Sequence, residues 1–167
     1  ALAPRFGWCP QDGHLFNSTL RANLLLARPR EEAPDDAEMN AVLRRVGLGP
    51  LLDRLPEGLN TVIGAEARHL SGGERQRVAV ARTLLTRADV ILIDEPTAHL
   101  DDESAESLMA DLRVALANKV TVLVTHQAYG IRNGDARIDL GCTTTEPRQT
   151  RRVLPTAQSE LVVSGAA

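Results

Sequence analysis

The sequence predicts an α/β fold in which a helical segment is followed by part of a parallel sheet. Residues 90–93 and 120–125 are short runs rich in valine, isoleucine and leucine, a pattern typical of strands buried on both faces of a parallel sheet. A helical pattern over residues 102–116 separates them, so strand and helix alternate in this region. Residues 20–86 show only helical patterns, which predicts an all-helical segment before the sheet.

The first half of the chain begins with a predicted strand around residues 6–9, which passes into a loop at Pro10. Ser18 and Thr19 predict the start of a short helix that runs through residue 26. In the longer helix that follows, acidic residues cap the start, apolar residues recur at helical spacing and a glycine ends the pattern. These residues are Asp35, Asp36, Met39, Val42, Leu43, Val46 and Gly47. A second short helical piece covers residues 51–55.

The second half alternates between helices and strands. Residues 74–86 lack glycine and proline and are rich in alanine, arginine and leucine, which predicts a helix. After the first apolar strand, Asp101 starts another helix, and the strand at 120–125 follows it. A further short strand is expected at 136–140, and the Thr-, Arg- and Pro-rich residues 142–167 are expected to form a mostly disordered tail.

Composition narrows the possible functions. Hydrophobic residues make up 43% of the 167 and charged residues 25%, as in a globular domain, and no apolar run approaches the roughly 20 residues of a membrane-spanning helix. The formal net charge of −3 argues against a nucleic-acid partner. Cys9 and Cys142 fit no metal-ligand spacing and predict free thiols in a reducing compartment. The start at Ala1 has neither an initiator methionine nor a signal-peptide pattern, so we expect a piece of a longer chain.

The most specific motif is Leu70-Ser71-Gly72-Gly73-Glu74, which stands at the start of a predicted helix. A helix N-terminus presents unpaired N–H groups and the positive end of the helix dipole, and glycine lets an anion approach them closely. The motif therefore predicts a helix end that binds phosphate. Taken alone, it also fits an ordinary serine-capped helix after a glycine turn.

Two acids, Asp94 and Glu95, directly follow the first apolar strand. Open α/β sheets bind ligands at the carboxyl ends of their strands. Asp94 is therefore placed to hold Mg²⁺, directly or through water, and Glu95 to orient or deprotonate an attacking water. Taken alone, two acids after a strand also fit helix-capping groups.

Several stretches occur in an order and at a spacing that resemble the ATPase domain of exporter-type ABC transporters. They are residues 9–16 (Q-loop), 70–77 (signature motif), 91–95 (Walker B strand with its glutamate), 98–101 (D-loop) and 122–126 (H-loop). The resemblance covers most of the chain. It implies a truncated P-loop NTPase domain, with a helical subdomain and part of a RecA-like parallel-sheet core.

The resemblance also implies a division of the chain. Residues 1–19 would form the Q-loop end of the core and residues 20–86 the helical subdomain with the signature motif. Residues 87–141 would form the core with Walker B, D-loop and H-loop, and residues 142–167 the tail.

The ligands that the resemblance implies are ATP and Mg²⁺. The implied catalytic residues are Glu95, His126 and Gln11, with His126 contacting the γ-phosphate and Gln11 coupling the metal to a transmembrane partner. Asp94 and Gln11 are the implied ligands of Mg²⁺. The residues implied to bind a nucleotide held mainly by the opposite subunit are Leu70, Ser71, Gly72, Gly73 and Glu74, and the D-loop residues are Ala98, His99, Leu100 and Asp101.

The P-loop that holds the phosphates of ATP in this family has no counterpart in the sequence. That loop requires Gly-x-x-x-x-Gly-Lys-Ser/Thr, and the only lysine, Lys119, stands just before a predicted strand. Because the family's P-loop lies upstream of its Q-loop, the resemblance implies a chain that by itself neither binds ATP tightly nor hydrolyses it. Gly64-Ala65-Glu66-Ala67 also departs from the Gly-Glu-x-Gly pattern of exporters.

Residues 95–101, the Q-loop and the end of the signature motif are similar to the CydC and CydD family of thiol-reductant exporter subunits. This similarity implies a second, different ATPase subunit as partner, a transmembrane domain of six helices, and export of cysteine or glutathione for cytochrome bd assembly. It places the ATPase on the cytoplasmic face of a bacterial inner membrane. The alternative is a soluble ABC ATPase of DNA repair or chromosome maintenance, but the stretch between Gln11 and Ser71 holds neither heptads nor cysteine pairs.

Overall fold

The computed structural model describes residues 5–64, 70–139 and 161–164. The strands are β1 (Phe6–Cys9), β2 (Ser18–Thr19), β3 (Val62–Ile63), β4 (Val90–Asp94), β5 (Val120–Val124), β6 (Ala136–Asp139) and β7 (Leu161–Ser164). The helices are α1 (Leu20–Leu25), α2 (Asp36–Arg45), α3 (Gly49–Arg54), α4 (Gly72–Leu85) and α5 (Asp102–Leu116), with single 3-10 turns at Arg30–Glu32 and Gly58–Asn60. In the part of the chain so described, no helix is long and apolar enough to cross a membrane.

The main sheet has five parallel strands in the order β1-β4-β5-β7-β6. One of its faces lies in the same apolar core as α4 and α5, where Ile91 and Ile93 of β4 pack with Val78, Val80 and Leu108. Crossover helices of this kind are what parallel strands require. The α/β class and the strands predicted at residues 6–9, 90–93 and 120–125 are confirmed.

The other face of the sheet is exposed in the described part of the chain. Phe6 and Trp8 of β1 keep 74% and 63% of their surface accessible, Leu92 keeps 37% and Val120 keeps 52%. The prediction that the strand at 90–93 is buried on both faces is therefore wrong, because only one layer of helices covers the sheet among these residues. A parallel sheet with an open apolar face is unusual.

The helical region packs around α4. Its core includes Leu20 and Leu24 of α1 and Met39 and Leu43 of α2, and Thr19 and Asp35 cap these two helices as predicted. The prediction that residues 20–86 are all-helical is wrong at Val62–Ile63, where β3 pairs with β2 in an antiparallel two-stranded sheet. The pairing satisfies the backbone of two β-branched residues and brings Ile63 fully into the core.

Within the segment expected to be a mostly disordered tail, Leu161–Ser164 forms β7 between β5 and β6. The Leu-Val-Val run favours a strand, and its backbone pairs with a neighbour on each side. The strand predicted at 136–140 is present as β6. Cys142, the remaining tail residues and Ala65-Glu66-Ala67 lie outside the described residues.

Candidate active site

The polar residues that follow β1, β4 and β5 lie at one edge of the main sheet. These three strands are parallel neighbours, with Cys9 paired to Ile93 and Asp94 paired to Val124. The structure therefore brings Gln11, Asp94, Glu95 and His126 to the same edge, the one where open α/β sheets bind ligands.

Glu95 and His126 form the best-defined contact at this edge. The Glu95 Oε1 atom accepts a hydrogen bond from the His126 backbone N–H at 2.9 Å and lies 2.7 Å from His126 Nδ1. The Glu95 side chain is 16% exposed and the His126 side chain 53%. An ionised carboxylate only accepts hydrogen bonds, so Nδ1 carries a hydrogen in this pair. The other ring nitrogen, Nε2, is then the one left for a ligand.

The backbone of Glu95 adopts an uncommon conformation. Its φ is +41°, in the left-handed region that non-glycine residues rarely occupy. Two backbone hydrogen bonds hold it there: the Glu95 N–H donates to Val124 O at 2.8 Å, and the Ala98 N–H donates to Glu95 O at 3.0 Å. Such backbone strain clusters at functional sites, where it aims a side chain.

Asp94 and Gln11 are suitable ligands for a metal ion that also binds phosphate. Asp94 ends β4, and Gln11 follows the adjacent β1 by two residues. Mg²⁺ usually takes one or two protein oxygens and fills its other positions with water and substrate phosphates. No group of three or more His, Cys, Asp or Glu side chains is placed to hold a metal within residues 5–64 and 70–139. The oxygen atoms of Asp94 and Gln11 suit Mg²⁺ whose remaining positions are filled by water and phosphate.

The signature residues form the N-terminus of α4. Ser71 caps the helix through a capping box: the Glu74 N–H donates to Ser71 Oγ at 3.2 Å, and the Ser71 N–H donates to the Glu74 carboxylate at 2.8 Å. Glu74 also pairs with Arg54 at 2.7 Å. The serine-capped helix that the sequence allowed is thus present, and the Glu74 side chain is engaged within the protein.

The D-loop packs against the signature motif. His99 has a φ of +66°, and the Leu100 N–H donates to Thr97 O at 3.2 Å, which turns the chain sharply. A Cβ atom built on Gly72 would lie 3.3 Å from Leu100 Cδ2, so the two loops are in contact. Asp101 caps α5, and hydrogen bonds from the Ser104 backbone and hydroxyl lower the pKa of its carboxyl group.

The Q-loop lies beside the same helix. A Cβ atom on Gly13 would come within 2.7 Å of Ala79 Cβ, and Arg82 donates to His14 O at 3.1 Å. The Q-loop, signature motif and D-loop together enclose a cleft of about 670 Å³. Its lining includes Gln11, His14, Leu70, Gly72, Arg75 and His99, but not Asp94, Glu95 or His126. The predicted residues therefore form two groups, one at the sheet edge and one around this cleft, and Gln11 belongs to both.

Sequence reasoning missed three residues at the sheet edge. Thr97 is buried, and its hydroxyl donates to Gln127 Oε1 at 2.6 Å, while Thr125 Oγ1 accepts from the Gln127 N–H at 3.0 Å. Their only signal in the sequence is position, since each stands within four residues of the end of a predicted strand. Lys119, by contrast, donates to Ala88 O at 2.7 Å at the opposite end of the sheet. It is too far from the site to hold a phosphate there.

Comparison with known protein families gives one match. The sequence model of the ABC transporter family matches residues 1–98.

Two of the individual relatives have transport or import in their names, and a third is named as an ATP-binding cassette protein. The chain is 42% identical to the glutathione/L-cysteine transport system ATP-binding/permease protein CydC of Escherichia coli. The 131 aligned residues are 78% of this chain and 22% of that protein. It is 42% identical to the mycobactin import ATP-binding/permease protein IrtB of Mycolicibacterium thermoresistibile, over 75% of this chain and 21% of the relative. It is 36% identical to ATP-binding cassette sub-family B member 6 of Rattus norvegicus, over 81% of this chain and 16% of that relative.

A solved structure shares the fold. A bacterial Atm1-family ABC exporter with ATP bound superposes with a TM-score of 0.61 at 33% identity, over 74% of this chain and 21% of the exporter chain. The chain thus spans about a fifth of the length of most of these relatives.

Proposed function

We propose that the chain, which belongs to the ABC transporter family, forms the second half of the ATP-hydrolysing domain of an ABC exporter. The fold is that of a P-loop NTPase ABC domain fragment, with a parallel sheet and a helical segment. The relatives are transport proteins, which argues against the alternative of an ATPase in DNA repair or chromosome maintenance.

The contact between Glu95 and His126 is the observation that carries this proposal. The Glu95 carboxylate is oriented by the strained backbone of Glu95 and by its two contacts with His126. It lies at the edge of the sheet where the substrate would bind. In this role Glu95 orients and deprotonates the water that attacks the γ-phosphate of ATP. Because His126 Nδ1 faces Glu95, His126 Nε2 is the atom that contacts the γ-phosphate. Asp94 and Gln11 would hold Mg²⁺, which neutralises charge on the phosphates when bound.

The signature motif would act on a different nucleotide. Leu70 and Gly72 line a cleft that excludes Glu95 and His126, so one ATP is not expected to contact both groups within this chain. We infer that Ser71, Gly72 and Gly73 complete the site of a second ATPase subunit in a head-to-tail dimer. The free N–H groups at the start of α4 suit a phosphate of that nucleotide.

The phosphates of the first nucleotide require a P-loop from further polypeptide. Two observations support this. Lys119 is engaged at the wrong end of the sheet, and the apolar sheet face that carries Trp8 and Leu92 is open for another layer of structure. The matched region is only about a fifth of these relatives, which leaves room in them for that layer and for a membrane domain. The isolated chain is therefore expected to be inactive.

The transported substrate is the finer part of the proposal. The similarity to CydC, whose name specifies glutathione and L-cysteine, supports a small thiol as substrate, with a CydD-like subunit as the partner, at the cytoplasmic face of a bacterial inner membrane. Export of that thiol would serve cytochrome bd assembly.

A transport assay tests this substrate. The intact subunit and its natural partner are reconstituted in inside-out vesicles, and uptake of labelled cysteine and glutathione is measured with ATP, with the Glu95→Gln variant as the matched control. The proposal predicts ATP-dependent thiol uptake that the Glu95→Gln variant lacks. ATP hydrolysis without uptake of either thiol would contradict the thiol assignment and leave the ATPase assignment standing.

A further inference from the structure

A short hydrogen bond links the residue just before the D-loop to the residue just after the H-loop, beside the Glu95–His126 pair. The Thr97 hydroxyl, on a side chain that is 1% exposed, donates to the Gln127 side-chain oxygen at 2.6 Å. Thr97 stands two residues after Glu95, and Gln127 directly follows His126. The bond therefore ties the segment that follows Glu95 to the segment that follows His126.

The other side-chain link between these loops is weaker. The Thr125 hydroxyl has one hydrogen and two acceptors, Glu95 Oε2 and Gln127 O, each at 3.4 Å. A bond at that distance is at the limit for a hydroxyl donor, whereas 2.6 Å is close to the usual O–H···O distance. Apart from the contacts made by His126 itself, the Thr97–Gln127 bond is thus the strongest side-chain tether between the loops.

We propose that Gln127 is a positioning residue, which keeps His126 against Glu95 through its hydrogen bond to Thr97 and thereby couples the D-loop to the orientation of that pair. This inference rests on the proposed function, since it concerns the same hydrolytic site. His126 is half exposed and lies in a bend after β5. Once the Thr97–Gln127 bond is lost, it would be held by its own contacts with Glu95 and by the bonds of Thr125.

The D-loop gives this bond a second consequence. Leu100 contacts the signature motif at Gly72, and the Leu100 N–H is bonded to Thr97 O. A movement of the signature motif or D-loop is therefore transmitted through Thr97 to Gln127, the residue next to His126. The nucleotide bound at the signature motif and the residues that cleave the other nucleotide would be linked by this path.

A double-mutant cycle in the intact subunit, assembled with its partner, tests the proposal. Thr97→Val and Gln127→Met remove the donor and the acceptor with little change of shape, while Thr97→Ser and Gln127→Glu retain them. We expect Thr97→Val and Gln127→Met each to lower kcat for ATP hydrolysis about tenfold, with KM unchanged, because a tenfold change corresponds to the free energy of about one hydrogen bond. The double variant should be no slower than either single one, because both remove the same interaction, and the conservative variants should keep near-normal kcat.

Two control variants distinguish an error in the positioning role of Gln127 from an error in the proposed function. Thr121 is a buried threonine of β5 whose hydroxyl has no hydrogen-bond partner among the described residues, so Thr121→Val should leave kcat unchanged. The Glu95→Gln variant reports on the proposed function itself. Suppose that Glu95→Gln abolishes hydrolysis, so that the proposed function stands. The positioning role is then wrong if Thr97→Val and Gln127→Met have normal kcat. It is also wrong if the double variant loses the product of the two single effects. If Glu95→Gln leaves hydrolysis intact, the proposed function is wrong.

Discussion

Single residues at the carboxyl edge of the sheet are held by contacts of different origin. Asp94, Glu95 and His126 were predicted at this edge because the ends of parallel strands converge, and strands are visible in the sequence. Thr97 and Gln127 were not predicted, since their bond depends on how two irregular loops pass each other. A threonine or glutamine outside a regular element has no periodicity that reveals its partner.

Cys9 is a residue whose chemistry is suppressed by its position. Its thiol is fully buried at the end of β1, and burial raises its pKa to about 11. We expect Cys9 in a Cys142→Ser variant to react with a thiol reagent at pH 8 only when the chain is unfolded, because the thiolate is the reactive form. Reaction in native buffer as fast as in concentrated urea would contradict this.

The same pKa predicts a loss of stability in alkali. In the unfolded chain the thiol ionises near its ordinary pKa of 9.0, while in the folded chain it stays protonated to about 11. The contribution of Cys9 is therefore complete below about pH 9 and is lost as the pH rises towards 11. Urea unfolding at pH 8 and pH 10 should show a larger decrease for the wild type than for Cys9→Ala.

At the scale of elements, local signals predicted the ends of helices well. Thr19, Asp35, Ser71 and Asp101 each cap the helix that the sequence placed after them, because capping involves only the next three residues. Strands β2, β3 and β7 were missed. Each is short and exists only because of a partner distant in the sequence, which no local pattern specifies.

An ion-pair cluster joins α2 to the segments before and after it. Glu38 of α2 accepts hydrogen bonds from Arg28 at 2.5 Å and from Arg87 at 3.1 Å, and the Arg28 side chain is 3% exposed. Burial acts to raise the pKa of Glu38, but the bonds from Arg28 and Arg87 outweigh it and lower the pKa below its ordinary value.

The expected result of Glu38→Gln is a loss of unfolding free energy on the order of 2 kcal/mol at pH 7, because it leaves a buried arginine without its charged partner. Since the folded-state pKa is lowered, the contribution of Glu38 is present above about pH 4.5 and is lost as the pH falls below it. Urea titrations at pH 7 and pH 4 should show the difference between wild type and variant narrowing at the lower pH. An equal difference at both would argue against the ion pairs.

At the scale of the whole molecule, the exposed face of the main sheet is the feature that the sequence pattern predicted wrongly. Apolar strands predict burial on two faces, but burial depends on what other polypeptide is present, and within the described residues only one face is covered. The matched region is only about a fifth of the relatives' length, which is consistent with a second layer from elsewhere in an intact subunit.

This face should make the isolated chain self-associate. Phe6, Trp8 and Val120 lie exposed on one face, a surface typical of a protein contact. Sedimentation at increasing concentration should show association that the double variant Phe6→Lys, Val120→Lys reduces. Val114→Lys is the matched control, since Val114 is an exposed valine on α5. A monomeric wild type, or an equal effect of Val114→Lys, would contradict the assignment of this face.

We propose that Asp94, Glu95 and His126 act in ATP hydrolysis in the intact subunit, and that the 167 residues alone lack a phosphate loop. The most direct test measures ATP hydrolysis with Mg²⁺ by three proteins: the isolated 167-residue chain, the intact subunit with its partner, and the same assembly with Glu95→Gln. We predict no turnover by the isolated chain, turnover by the intact assembly, and a decrease of about a hundredfold or more on Glu95→Gln. Steady turnover by the isolated chain, or an intact Glu95→Gln assembly with normal kcat, would contradict the account.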